Sequence, residues 1–431
     1  MTTVISSASH TSVSGGGAAS DEAREQTAAA GDRAADLLDD YDGSASFLFG
    51  SPRASILARG VAVEVPDRTG DRTGVDPEFV LGLLRSSPRY GLVTGLVPFD
   101  RGPARLLVPA TVRRSGPFTG GIVARGRAVG PRLRLTAIPS RQAYAGMVAE
   151  AVQRIETSAV TKVVLARTLD VESNDQIDVA TLVRNLAAAT SHGYVFSAEL
   201  PGDRLLVGGS PELMVRRVGR HVSTQPMAGS LPRSDEPDED LARAAMLVES
   251  DKDRHEHEVV VDHVHRRLSD IGVRVDRPDR PSVVGTPTVW HLATRLTAEL
   301  PDPAPSSLAV ALALHPTPAI GGTPTAAAVR LINELEPFDR GYYGGMVGWM
   351  DAHGDGEWAL SLRCAEVSGR RARLYAGAGI VAGSDPEREA AETDAKFATM
   401  LQALGVDSLE SDDMSPSSDP AEANPTEPEQ P

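Results

Sequence analysis

Apolar residues recur along this chain with two different periods. Between residues 33 and 141 they alternate with polar ones in short segments: SFLFG, SILARGVAVEV, YGLVTGLVPF, ARLLVPATV and RLRLTAI. Turn residues close each segment. Period-two alternation at close spacing predicts antiparallel strands rather than strand–helix–strand units. From residue 141 the period lengthens. Tyr144, Met147, Val148, Ala151 and Ile155 form a helical stripe over 141–157, and a strand, KVVLARTL, follows from Lys162. A helix over 178–190 comes next. Two strands, YVFSAEL and DRLLVGGSPELMVRRV, then meet at a turn over 202–204.

Residues 221–230 predict a strand that enters a glycine turn, QPMAGS. After an acidic, proline-containing loop (233–240), the longest helical pattern runs over 239–270. Residues 271–306 are irregular apart from TVWHLATRLTAEL. Helices are predicted over 307–314 and 325–335, separated by HPTPAIGGTP, and a strand meander fills 342–379. Ala372, Leu374 and Ala376 mark its last strand, which ends in a predicted glycine turn, Gly377-Ala378-Gly379. Ser384 or Asp385 is the N-cap of a final helix that starts at Pro386 and reaches about Leu404. Its expected apolar stripe is Ala391, Ala395, Ala398 and Leu401. No repeat period stands out. The sum is an α+β chain, with one domain over 31–406. Residues 1–30 (Ser/Thr/Gly/Ala-rich) and 407–431 (acidic, proline-rich) lack periodicity and are expected to be disordered.

Composition removes several function classes. Apolar residues make up 41% of the chain, and none of their runs reaches the roughly 18 needed to span a membrane. The opening MTTVISSASH has no basic or apolar leader region, so no secretory signal is expected. One cysteine, Cys364, allows neither an intrachain disulfide nor a cysteine-based metal site, which suits the cytoplasm. The net charge is −16, and residues 407–431 carry eight acids and no base. Nucleic-acid binding wants a basic face and is not expected.

Candidate chemistry lies in the helices and glycine-rich segments. Glu389, Glu392 and Lys396 are spaced i, i+3, i+7 and share one helix face. Two carboxylates there suit a hard cation, although the same spacing fits a solvated face with a Glu–Lys pair. On the long helix, Glu249, Asp253, Glu256 and Val260 fall on one face. The adjacent HEHE run is not a zinc motif, because the position four after His255 is Val259. Glu256 and Glu392 are the better pair for a divalent ion. Lys162 opens an apolar strand and is either a strand-end lysine reaching water or a base with a desolvated amine. Glu212, in GGSPEL, is either a surface acid or a carboxyl kept protonated by burial to act as a general acid. No serine-hydrolase or Walker motif is present. GAGIVAG matches a dinucleotide fingerprint too weakly to suggest NAD.

Eight segments together resemble the chorismate-utilising enzymes, and isochorismate synthases in particular. They are KVVLAR (162–167), GGSPEL (208–213), TQPMAGS (224–230), ESDKDRHEHEVV (249–260), VWHLAT (289–294), ALHPTPAIGGTP (313–324), SLRCA (361–365) and AGAGIVAGSDPEREAAETDAK (376–396). They stand in the family's order over about 140–405. Anthranilate synthase component I and salicylate synthase are more distantly similar. The resemblance implies two mainly antiparallel sheets flanked by helices, chorismate as substrate and Mg²⁺ as cofactor. Glu256 and Glu392 would bind the metal, with Glu389 acting through water. Lys162 would activate the water that attacks ring carbon C2, and Glu212 would protonate the departing C4 hydroxyl. Arg363 would clamp the enolpyruvyl carboxylate. Backbone N–H groups at Gly229, Ser230 and Gly377 would take other substrate oxygens. Lys396 would neutralise carboxylate charge, and His291 and Tyr343 would line the pocket.

Two positions choose among family members. Ala228 replaces the nucleophilic lysine of aminodeoxychorismate synthases. Ala319 stands where lyase-type members tend to carry threonine. The chain is therefore expected to stop at isochorismate, for siderophore, menaquinone or related biosynthesis. Salicylate synthase and a non-catalytic chorismate-binding relative are the alternatives. A monomer or a dimer is expected.

Overall fold

The computed structural model describes residues 34–69, 73–118, 122–190 and 192–406. The order of elements is α1 (Ala34–Asp40), β1 (Phe47–Gly50), β2 (Ser55–Glu64), α2 (Pro77–Arg85), β3 (Leu92–Val97), β4 (Arg105–Ser115), β5 (Leu133–Ile138), α3 (Arg141–Thr157), β6 (Lys162–Ser173) and α4 (Val179–Ala189). There follow β7 (Tyr194–Leu200), β8 (Arg204–Ser210), β9 (Leu213–Val218), β10 (His221–Gln225), β11 (Met227–Pro232), α5 (Pro237–Glu249), α6 (Asp251–Asp270), β12 (Val275–Asp276), β13 (Ser282–Gly285), β14 (Val289–Ala293) and β15 (Leu296–Glu299). The chain ends with α7 (Ser307–Leu314), β16 (Gly322–Thr323), α8 (Thr325–Leu335), β17 (Met346–Asp351), β18 (Gly356–Leu360), β19 (Cys364–Ser368), β20 (Arg371–Val381) and α9 (Pro386–Leu404).

Among the described residues, seventeen strands form one antiparallel sheet, and β11, β14 and β13 form a second. In the large sheet β1 pairs with both β2 and β7. That double pairing joins a half containing β2, β4, β3, β17, β18 and β9 to a half containing β7, β8, β19, β20 and β6. The sheet curls so that the halves face each other across Phe47, Leu96, Phe196, Val347 and Tyr375. Helices α2, α3, α6, α7 and α8 pack over one outer core, and α1, α4 and α9 over another. The expected α+β architecture with two mainly antiparallel sheets is thus present, with very unequal sheets.

Several sequence expectations need correction. The helix expected over 239–270 is two helices. Ser250 is extended (ψ 113°), closes α5 and caps α6 by accepting from the Asp253 N–H at 3.2 Å. Glu249 therefore ends α5, exposed, and does not share the face of Glu256 and Val260. Gly377-Ala378-Gly379 is not a turn. All three lie inside β20, opposite Ala166, Leu165 and Val164 of β6. QPMAGS is likewise mostly strand β11, with an irregularity at Gly229 (φ 74°). The buried stripe of α9 is Ala390, Thr393, Phe397, Met400, Leu401 and Leu404, whereas Ala391 is exposed. Helices α1 and α2 were not foreseen, although Asp76 before Pro77 is a proper start signal, and its carboxylate accepts from Glu78 and Phe79. The ends of α9 agree with expectation: Asp385 accepts from the Arg388 N–H at 2.9 Å, and Gly405 closes the helix at φ 83°. The disorder expected for 1–30 and 407–431 concerns residues outside the described ones.

Candidate active site

The site is built where strands β6 and β20 meet helices α6 and α9. Glycines make room for it. A methyl group on Gly379 would lie 2.2 Å from Glu256 Oε1, and one on Gly377 would lie 3.0 Å from the Tyr343 hydroxyl. These glycines mark close approach of side chains to a strand, the other common reason for glycine inside a sheet. At Gly229 the positive φ and the nearby Asp253, 3.0 Å from an added Cβ, let β11 pass against α6.

Three ammonium groups meet three carboxylates. Lys162 Nζ lies 3.0 Å from Glu256 Oε1. The angles do not make this a hydrogen bond, and among the described residues the buried Nζ has no hydrogen-bond partner. Lys396 Nζ donates to Glu392 Oε1 at 2.5 Å and to the Gly377 carbonyl at 2.7 Å. Ser230 Oγ donates to the same Glu392 oxygen at 2.8 Å. Lys252 Nζ donates to Glu389 Oε1 at 2.6 Å. Burial, and then the like charge of Glu392, push the Glu389 carboxyl up to about 7. Burial acts on Glu392 too, but Lys396 and Ser230 outweigh it and hold that carboxyl below its ordinary range.

Glu212 behaves differently. Burial pushes its carboxyl up to about 8, and only the Met227 N–H, at 3.3 Å, favours the ionised form by direct contact. At neutral pH it is a carboxylic acid inside the protein, with a proton to give. Opposite it, Arg363 Nη2 donates to His291 Nε2 at 2.9 Å. Guanidinium only donates, so His291 accepts there and carries its proton on Nδ1. Burial, reinforced by Arg363, holds the imidazole well below its ordinary value, hence neutral. Arg363 sits at φ 46°, and its buried Nε has no hydrogen-bond partner among the described residues. Tyr343 stacks on Tyr375 with ring centroids 5.0 Å apart.

Of the thirteen residues expected at the site, eleven line one cleft; the other two, Lys162 and Glu389, stand just behind it against Glu256 and Lys252. Ala319 is on the cleft wall. Among the described residues, no group of three or more His, Cys, Asp or Glu is gathered closely enough to hold a metal ion. The donor chemistry nevertheless fits a hard cation. The carboxylates are buried, two of them repel each other, and Mg²⁺ needs only one or two beside water and substrate. His257 is turned away from them, 2.7 Å from Thr294 Oγ1.

Sequence reasoning missed Lys252, Gly379, Tyr375 and Arg340. Lys252 lies four residues before Glu256, a spacing that places both on one helix face. Arg340 stands four after Glu336 in EPFDRGYYGG, and neither residue could be told from a surface pair.

A family model described as chorismate binding enzyme matches residues 129–405. The isochorismate synthase DhbC of Bacillus subtilis is 43% identical over 389 residues, spanning 88% of this chain and 98% of its own. The vibriobactin-specific isochorismate synthase of Vibrio cholerae is 39% identical over 375 residues, spanning 86% of this chain and 94% of its own. A solved DhbC structure from Bacillus anthracis is 42% identical, covers 86% of this chain and 99% of that one, and superposes with a TM-score of 0.80.

Proposed function

The chain belongs to the chorismate binding enzymes, and from that premise we propose that it is an isochorismate synthase. It isomerises chorismate to isochorismate. The observation that carries the chemistry is Glu212, a buried carboxyl raised to about 8 on the wall of a cleft that also holds Arg363, Glu256 and the Lys396–Glu392 pair.

Lys162 accepts a proton from the attacking water as its oxygen bonds to C2. The ring double bonds shift, the C4–O bond breaks, and Glu212 gives its proton to the leaving hydroxyl, which departs as water. One water enters and one leaves, with no redox change. For Lys162 to accept a proton its amine must first be neutral, so its pairing with Glu256 has to loosen before chemistry. Arg363 offers its unpartnered Nε and remaining N–H groups to the enolpyruvyl carboxylate. Neutral His291 keeps that guanidinium oriented without neutralising it. Gly229, Ser230 and Gly377 supply the polar backbone around the ring, and Lys396 balances nearby negative charge. These groups position and stabilise rather than exchange protons.

Glu256 and Glu392 would hold Mg²⁺, with Glu389 reaching it through water. When bound, the ion supplies positive charge to the ring carboxylate. Isochorismate would serve siderophore, menaquinone or related biosynthesis in the cytoplasm, from a monomer or dimer.

Product analysis tests this reading. Purified protein is incubated with chorismate and Mg²⁺ without ammonia, and products are separated chromatographically. Isochorismate in equilibrium with chorismate, without pyruvate, is expected. Salicylate with pyruvate would move the chain to the lyase branch. No conversion would leave only a chorismate-binding protein.

A further inference from the structure

Strand β6 carries Lys162 at its first position, and one stretch of it lacks a partner strand on one edge among the described residues. On one side it pairs with β20 along its whole working length. On the other, β16 covers Lys162 and Val163, the Gly321 carbonyl just before it accepts the Val164 N–H at 2.8 Å, and β5 joins at Thr168. The gap between them is filled by two side chains. Glu336 Oε1 accepts the Ala166 N–H at 2.7 Å, and Arg340 Nη2 donates to the Val164 carbonyl at 2.7 Å. The two side chains also bind each other: Arg340 Nε reaches Glu336 Oε2 at 2.8 Å and Nη2 reaches Oε1 at 2.5 Å. Both are almost fully buried, at 4% and 1% side-chain exposure.

A buried ion pair is an expensive way to cap a strand edge, because desolvation offsets most of the attraction. Its reach explains the choice. Arg340 Nη1 also donates to the Ile320 carbonyl at 2.7 Å, beside Ala319 on the cleft wall. Its guanidinium lies 4.4 Å from the Phe99 ring centroid and 5.8 Å from that of Tyr343. One planar cation thus touches the strand of Lys162, the turn of Ala319 and the ring of Tyr343.

We propose that Arg340, held by Glu336, is a positioning residue: it fixes the strand carrying Lys162 relative to the Ala319 and Tyr343 walls of the cleft, and so sets the distance from base to substrate. This rests on Lys162 serving as the base. A guanidinium can bridge these acceptors at once, whereas an ammonium is a point donor.

Two variants separate positioning from stability. Arg340→Lys keeps the charge and loses the fork. Glu336→Leu with Arg340→Met exchanges the pair for apolar residues and leaves the Ala166 N–H and the Val164 and Ile320 carbonyls without these partners, so the folded fraction of each variant is measured beside its rate. In folded protein each is expected to lose about 10²-fold in kcat, the cost of a displacement near 1 Å, while chorismate KM changes less than about threefold. Hydrogen exchange of the peptide over 160–170 should quicken in both. Three results would overturn the inference. One is wild-type kcat in either folded variant. Another is a raised KM with unchanged kcat, which would make Arg340 a substrate contact. The third is activity lost only in proportion to the unfolded fraction. If the wild-type chain forms no isochorismate, the functional reading fails instead, and the exchange rates alone judge whether the pair holds β6.

Discussion

Glu212 shows how one residue's surroundings set its chemistry. The sequence around it, GGSPEL, is unremarkable, and nothing in composition or periodicity separates a buried acid from a surface one. Gly208 and Gly209 before it lie in β8, and the carboxyl is buried. Its acid–base behaviour follows from that burial, which no local pattern encodes. Two outcomes are expected. Glu212→Gln should lower kcat by about 10²–10⁴-fold, the usual worth of a general acid, with chorismate binding retained. Wild-type turnover in that variant would remove the acid from the mechanism. The second outcome concerns pH. The carboxyl rises from 4.5 to about 8 on folding, so the folded state binds the proton more tightly than the unfolded chain. The stability it contributes is fully present below pH 4.5 and drains away as pH rises through about 8. Measured against Glu212→Gln, which has no proton to lose, the wild-type melting temperature should therefore fall between pH 5 and 9. The rate should fall over the same alkaline limb. A constant difference between the two melting curves would contradict the buried, neutral acid.

At the scale of elements, helices were far more legible than glycine-rich strands. Helix α9 could be placed from Asp385, Pro386 and its periodicity, because capping is local chemistry written in adjacent residues. Helix α5 and helix α6 ran together in the sequence because a serine cap between two helical patterns looks like any mid-helix serine. Glycines 377 and 379 misled for a physical reason. Glycine signals freedom of backbone or freedom of space, and only the tertiary fold says which. Here it is space, since Glu256 from α6 comes down onto Gly379 in β20. Gly379→Ala should accordingly leave the strand intact and displace the Glu256 carboxylate, whose Oε1 would be 2.2 Å from the new methyl and is a movable side-chain end. The expected destabilisation is small, about 1–3 kcal/mol as for other overpacked sites. The loss should instead appear as weaker activation by Mg²⁺ in a titration followed by turnover. An unchanged Mg²⁺ requirement would show that Glu256 does not depend on that space.

For the molecule as a whole, the order of strands was the least legible feature. Alternating segments announce antiparallel strands but not their partners, and β1 joins its sequence neighbour β2 to the distant β7, uniting two halves whose strands interleave along the chain. The cleft exists because of that closure. It brings Glu212 between β8 and β9, Glu256 on α6 and Glu392 on α9 to one place. The resemblance to chorismate-utilising enzymes located these residues without saying how they meet, and it did not foresee that three lysines would stand on the three carboxylates of α6 and α9. The meeting has a consequence for stability. A cation shared by Glu256 and Glu392 would add a second tie between α6 and α9, which the Lys252–Glu389 pair already joins, and a ligand that binds only the folded chain stabilises it by mass action. At a Mg²⁺ concentration about a hundred times its dissociation constant the gain is about 2.7 kcal/mol, enough for a rise of several degrees in melting temperature. Scanning calorimetry of the substrate-free protein with and without Mg²⁺ should show that rise in the wild type. It should vanish in Glu256→Ala and in Glu392→Ala, each of which leaves its lysine partner without a counter-charge and should also melt earlier. A Mg²⁺-dependent rise of the same size in both variants would place the cation elsewhere and leave the Lys–Glu pairs as the resting form of the site.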